Sequence, residues 1–190
     1  MHVLLDKIDQ LFNTEKRIIL AIDGGSTSGK STLAAFLKDT YACNVISMDH
    51  FFLKPDMRTT ERLSQPGGNI DYDRFIDQII LPLKSGESFA YPPYNCQTGE
   101  YDEPVNVDIN LLTIVEGVYS MHPMICEHSV YRLTVFLQID EDEQKRRLLL
   151  RNPHMYGRFI NEWVPMENKY FEYFKIADKC DYVTRYNFRD

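Results

Sequence analysis

No stretch of this chain approaches the ~18 consecutive apolar residues that a membrane-spanning helix needs, so a helical span is excluded. Residues 1–16 carry Asp6, Lys7, Asp9, Glu15 and Lys16 and lack the apolar core of a secretory signal. Cysteine is scarce: Cys43, Cys96, Cys126 and Cys180 lie far apart with no C-x-x-C pair. That speaks against a zinc ribbon or a disulfide framework and fits a reducing compartment. Basic residues are outnumbered, 21 Lys and Arg against 28 Asp and Glu, for a net charge of −7. Such a balance argues against a general nucleic-acid face and against docking on anionic membranes. Any positive field must be local. Internal repeats and low-complexity tracts are missing too. What remains is 190 residues, 44% of them hydrophobic, enough for one domain with a real core. The expectation is a cytoplasmic enzyme or switch.

One segment dominates what is present. The β-branched run Ile18–Ile22 stops at Asp23; Gly24-x-x-x-x-Gly29-Lys30-Ser31 follows, then the helical pattern Leu33, Phe36, Leu37. Strand, glycine loop and helix start form the context of a phosphate-binding P-loop. Glycines let successive N–H groups point into one concavity, and the helix dipole adds positive potential there. The candidate nucleotide-binding residues are Gly24, Gly25, Ser26, Thr27, Ser28, Gly29, Lys30, Ser31 and Thr32. Lys30 supplies a point charge for the outer phosphates, and the Ser31 hydroxyl is placed for Mg²⁺. The alternative is an ordinary strand-to-helix turn.

Elsewhere the pattern predicts a leading helix over 2–12, strand 1 over 17–22, and a helix from Lys30 to about Tyr41. It then gives a strand over 44–48 ending at Asp49, and loop over 50–70. Tyr72, Phe75, Ile76, Ile79 and Ile80 make one helical stripe with Asp71 before it and Pro82 near its end. Residues 85–108 read as a hairpin or irregular insert that leaves a homo-oligomer open. Strands are expected over 111–115, ending at Glu116, and over 132–139. Asp140 and Glu143 then form a capping box for a helix to about Arg151. Asn152-Pro153 breaks that helix, so 152–160 reads as a lid loop carrying Arg158. A helix over 161–174 and a strand over 181–184 complete the chain. Trp163, Tyr170, Phe171 and Phe174 read as helix packing. Alternating strands and helices imply an α/β fold: three layers around a five-stranded parallel sheet, with a small insert and a lid. Asp23, Asp49 and Glu116 then converge on the carboxyl edge, where such sheets bind ligands.

Phosphoryl transfer needs a phosphate cradle, a metal, cations for developing charge and a group that orients the attacking oxygen. Glu116 can hold Mg²⁺ with Ser31, or be a solvated turn carboxylate. Asp49, beside the apolar wall Phe51-Phe52, can take a proton from a hydroxyl acceptor, or be a loop or cap aspartate. Glu143 can neutralise Arg147. Arg151 and Arg158 then read as lid cations for a triphosphate, against surface arginines.

The P-loop, Ser47-Met-Asp-His-Phe-Phe52, Pro66-Gly-Gly-Asn-Ile-Asp-Tyr-Asp-Arg-Phe75, Tyr94-Asn-Cys96, Glu116-Gly117 and Arg151-x5-Gly157-Arg158 resemble the uridine kinase-like group of the uridine kinase/phosphoribulokinase superfamily. The likeness covers about residues 17–185. It implies an ATP- and Mg²⁺-dependent kinase that transfers the γ-phosphoryl group to a small-molecule hydroxyl, the 5′-hydroxyl of a pyrimidine nucleoside first among them. Asp49 would be the base for the 5′-hydroxyl and Ser31 with Glu116 the metal site. Asp71 would bind the ribose hydroxyls, Tyr94 and Phe52 would line the acceptor pocket, and Arg151 and Arg158 would be lid arginines. Ala177-Asp178-Lys179 would lie beside adenine. The sequence departs from the group at three places. His50 stands where many relatives have a second acid. Cys96 and Gln97-Thr98-Gly99 replace an aromatic and a histidine around the base, and Tyr156 replaces a lid arginine. These departures leave the phosphoryl chemistry intact and bear on how uracil would be recognised. Other readings stay open: a kinase for nicotinamide riboside or another metabolite; a nucleoside monophosphate kinase using Arg58, Arg62 and Arg74; or a nucleotide switch with no need of Asp49.

Overall fold

A computed structural model describes residues 2–185. Among these the strands, in chain order, are β1 (Ile18–Gly24), β2 (Asn44–Ser47), β3 (Phe89–Tyr91), β4 (Tyr94–Asn95), β5 (Glu100–Tyr101), β6 (Val105–Val107), β7 (Leu112–Glu116), β8 (Leu133–Gln138) and β9 (Tyr182–Arg185). Five of them form a parallel sheet in the order β2-β7-β1-β8-β9, as helical crossovers between successive core strands require. β1 lies in the middle, so both its edges are paired and its side chains are buried on both faces.

The helices His2–Phe12 and Lys30–Tyr41 cover one face, packing Leu4, Ile8, Leu33 and Leu37 against Leu20, Ile22 and Ile114. On the other face Phe75, Ile79, Tyr170 and Ile176 pack against Ala21, Val115 and Phe136. The result is the expected three-layer α/β/α arrangement. The insert is a hairpin in two pieces: β3 pairs with β6 and β4 with β5, interrupted at Pro92-Pro93, which has no N–H to pair.

Several expectations need correction. β1 runs on to Gly24, which places Asp23 inside the strand rather than at its exit. Residues 50–70 are not plain loop. They hold 3₁₀ turns at Met48–Phe51 and Pro55–Met57 and a helix at Thr60–Ser64, whose Thr59 cap accepts from the Arg62 N–H. The capping box does not form: the Asp140 side chain pairs with Arg185 at 2.8 Å, and Glu143 pairs with Arg146 and Arg147.

The largest correction concerns the lid. Residues 156–174 form a continuous helical run that includes Gly157 and Arg158, with a π turn at Phe159–Trp163. A second π turn, Ile76–Ile80, lies in the 72–85 helix, which has Pro82 near its end as expected. Each π turn directly precedes an X-Pro step, Leu81-Pro82 or Val164-Pro165. The wider turn falls where the proline has no N–H to give and would crowd the preceding carbonyl, so the chain stays helical through it.

Gly24 has φ +143°, and a Cβ there would lie 2.3 Å from the Leu137 carbonyl oxygen on β8. Gly24→Ala is therefore expected to destabilise the fold by at least about 2 kcal/mol, read as a lower urea midpoint at unchanged slope.

Candidate active site

β1 delivers the chain into the glycine loop at the carboxyl edge of the sheet. Gly29 and Thr27 have φ of +106° and +62°, which turns the peptide units of 24–29 around one concavity before the helix starts at Lys30. The Lys30 ammonium donates to the carbonyls of Gly24 (2.8 Å) and Gly25 (2.9 Å). Its third hydrogen is left for the loop interior.

Register explains the neighbouring carboxylate. Glu116 at the end of β7 is level with Ile22 of β1 and Ser47 of β2, which sets it between the loop and the Asp49 segment. Both its oxygens lie within hydrogen-bond distance of Ser31 Oγ, at 3.3 and 3.2 Å, and the Ser47 hydroxyl bonds it too. Glu116 is only 6% exposed. Burial raises its pKa above the usual carboxylate value, the Asp49 charge adds to the rise, and Lys30 and the hydroxyl contacts oppose it. A buried carboxylate beside a serine hydroxyl is a hard-oxygen pair suited to Mg²⁺, which keeps waters and completes its shell with phosphates. These residues fit the metal.

Asp23 behaves differently from expectation. Fully buried, it accepts from the N–H groups of Gly24, Tyr119 and Met121 and from the Tyr170 hydroxyl at 2.7 Å. It is the brace of the loop's root. Nothing of it is left over for phosphate.

On the far side of Glu116, Asp49 sits in the 3₁₀ turn Met48–Phe51, its N–H donating to Ser47 Oγ. Asp49, His50, Phe52, Tyr94, Asn95 and Cys96 line a cleft of about 360 Å³, closed by Pro93, Gln97 and Asp102 of the insert. The structure thus brings Asp49, Phe52 and Tyr94 together. Asp71 is not among these lining residues. It caps the 72–85 helix through the Arg74 N–H at 3.1 Å, one residue from the Phe52–Ile70 bridge. His50 bonds the Tyr91 hydroxyl at 3.0 Å, and its burial lowers its pKa, so the ring is neutral at neutral pH.

The expected pairing of Arg147 with Glu143 is present, and the other two arginines face outward. Arg147 pairs with Glu143 at 2.7 Å and also donates to the Thr27 carbonyl of the loop at 3.1 Å. Arg151, one turn on, is exposed. Arg158 is exposed as well, pairing with Glu162 and stacking on Trp163, so Trp163 is more than packing. Two loop partners escaped the sequence reading: Gln144, which donates to the Ser26 carbonyl at 3.0 Å, and the buried Glu167, which accepts from the Ser26 N–H at 2.9 Å. Both sit in helices whose composition reads as solvent-facing.

No protein-family model matches the chain. The phosphoribulokinase of Synechocystis is 28% identical over 141 residues, 67% of this chain and 40% of that protein. The uridine kinase of Bacillus cereus strain AH187 is 24% identical over 178 residues, 84% of this chain and 82% of that protein. This chain is a distant homologue of both. The structure titled a possible uridine kinase from Bacillus stearothermophilus shares the fold: TM-score 0.69 at 23% identity, covering 95% of this chain and 98% of its own. In this homologue of P-loop kinases the described residues contain no helix long and apolar enough to cross a membrane.

Glu116 makes a measurable demand. Only its ionised form binds a cation, and its pKa is raised, so a proton competes at higher pH than it would for a free glutamate. Mg²⁺ affinity is therefore expected to fall as pH drops through that raised pKa. Glu116→Gln should need about ten- to a hundredfold more Mg²⁺ for half-maximal nucleotide binding and should lose that pH dependence. Titration of a fluorescent ATP analogue against Mg²⁺ at several pH values checks both.

Proposed function

We propose that this chain is an ATP-dependent small-molecule kinase that transfers the γ-phosphoryl group to a hydroxyl of an acceptor carrying no phosphate, with a nucleoside 5′-hydroxyl as the leading candidate. One juxtaposition supports this most: Asp49 stands at the mouth of the cleft on one side, and on the other its charge is felt at Glu116, the partner of the loop's Ser31. An acid in that position lies between a cradle for the donor and a pocket for the acceptor.

The loop amides orient the triphosphate, and the free hydrogen of Lys30 serves its outer oxygens. Bound Mg²⁺, held by Ser31 and Glu116, would neutralise charge on the β- and γ-phosphates. Asp49 accepts the hydroxyl proton as the oxygen attacks, a contribution of about 10²–10⁴ in rate. Phe52 and Tyr94 give the cleft apolar walls that exclude water from the attacking oxygen. Arg147, Arg151 and Arg158 are the cations near enough in sequence to serve a closing lid, and the 176–179 turn is the candidate neighbour of adenine.

The engagement of the three arginines near the acceptor segments supports an acceptor without phosphate. Arg58 donates to the Leu53 carbonyl, Arg62 to the Ile70 carbonyl, and Arg74 to those of His50 and Pro92. None of the three lines the cleft, which argues against a monophosphate acceptor. A second reading has an observation of its own. The lining has two carboxylates, Asp49 and Asp102, and no Lys or Arg, a balance that favours an acceptor bearing positive charge, such as nicotinamide riboside.

A coupled ADP-release assay over uridine, cytidine, nicotinamide riboside, a nucleoside monophosphate and a sugar phosphate tests the proposal. Turnover on one of the first three supports it. Turnover only with a phosphorylated acceptor, or acceptor-independent hydrolysis alone, overturns it. Asp49→Asn should lower turnover by about 10²-fold or more with nucleotide affinity unchanged, and near-wild-type turnover would remove the base.

A further inference from the structure

The tip of the glycine loop is gripped from outside. Glu167 accepts from the Ser26 N–H at 2.9 Å through one carboxylate oxygen and from the Ser26 hydroxyl through the other. It is 4% exposed. Three residues on, Tyr170 of the same helix face donates to Asp23 at the loop's root. A single helix therefore holds both ends of the strand-to-loop transition, and that helix continues the run in which Arg158 lies.

A packing role does not account for a carboxylate here. Burying one costs several kcal/mol unless its oxygens are matched, and a loop built to attract phosphates is an unfavourable place for added negative charge. An amide or a methionine would fill the space. What the carboxylate adds is a two-point acceptor that fixes both polar hydrogens of one residue, so that the Ser26 N–H has one direction. Gln144 on the Ser26 carbonyl and Arg147 on the Thr27 carbonyl complete the hold. The tip is thus fixed by side chains, and the Ser28 N–H closes a turn on the Gly25 carbonyl at 3.1 Å. Burial raises the pKa of Glu167 above the usual carboxylate value, while its Ser26 contacts and Lys30 oppose the rise.

We propose that Glu167 is a positioning residue that ties the phosphate loop to the lid helix, presetting the loop for nucleotide and transmitting nucleotide binding to Arg158. The proposal rests on the reading that this loop holds the donor nucleotide.

The test compares Glu167→Ala with Glu167→Gln in the full chain, using a non-hydrolysable ATP analogue with Mg²⁺. Three readouts are followed: analogue affinity, thermal midpoint, and nucleotide-dependent protection of the Arg151 and Arg158 peptide bonds from trypsin. The alanine variant is expected to bind the analogue about tenfold more weakly and to lose the protection. The glutamine variant can still accept from the Ser26 N–H through its carbonyl oxygen and can donate its amide N–H to the Ser26 hydroxyl oxygen, so it is expected to stay within about threefold of wild type, with protection retained. Wild-type affinity and protection in the alanine variant, or a loss confined to its thermal midpoint, overturns the proposal. If the alanine variant does not fold, Ser26→Ala removes the hydroxyl half of the contact and should reduce protection in the same direction; full protection there counts against it. A wild-type chain that binds no analogue overturns the kinase reading itself, whereas binding indifferent to Glu167 overturns only the coupling.

Discussion

The site depends on one cation surrounded by buried acids. Asp23, Glu116 and Glu167 are each pushed toward the neutral form chiefly by burial, and for each of them Lys30 acts in the opposite direction. One ammonium, itself 8% exposed and tied to two loop carbonyls, is thus the common attractive charge for three carboxylates. The sign has a consequence for stability. A carboxylate whose folded pKa is raised favours the fold at low pH and gives up that contribution as pH rises through the folded value. Three acids thus share one ammonium in the loop region, and an incoming triphosphate would add negative charge to it. A divalent cation between Ser31, Glu116 and the phosphates relieves both at once.

The three acids manage burial differently. Asp23 meets four donors, so its cost is offset locally and it serves as architecture. Glu116 has only hydroxyl partners, which can turn to other acceptors, and this leaves it able to exchange them for a cation. Glu167 faces a main-chain amide. The same residue chemistry yields a brace, a ligand and a strut according to what the surrounding backbone offers.

How much of this the sequence discloses follows from the range of each signal. The strand, glycine loop and helix start are local, and Gly24, Gly29 and Lys30 stand where the spacing put them. So does Glu116, because a buried strand fixes its register by apolar content alone. The helix does end at Asn152-Pro153, but Gly157 reads as a loop signal and the following helix starts earlier than expected, at Tyr156, through a π turn that has no sequence signature. The choice between Arg147 and Arg151 depends on helical phase. One turn of error moves the cation from the Thr27 carbonyl to open solvent. Glu167 could not be found from its own segment. In Val164–Phe174 it reads as one more polar position, and only the docking of that helix beside the loop makes it a buried partner of Ser26.

The acceptor side is built on another principle, which bears on how such a cleft changes its substrate. Segments 50–70 and 89–107 are short turns, one short helix and two short ladders, and a carbonyl left unpaired near the core is costly. Arginines supply the pairing. Arg74 lies over Phe51 at 4.4 Å and over Tyr101 at 4.7 Å while donating to carbonyls of both segments, so it joins the 3₁₀ turn that bears Asp49 to the insert that bears Tyr94. A planar donor held between rings keeps its geometry with little entropy left to lose. The residues that read the acceptor can then vary at the hairpin tip, positions 95–99, while the spacing of Asp49 from Tyr94 stays fixed behind them. Cys96 and Gln97, unusual for a uridine-binding pocket, fall in that tip. On the proposed function, the frame that would place the base is thus separate from the side chains that would select the molecule.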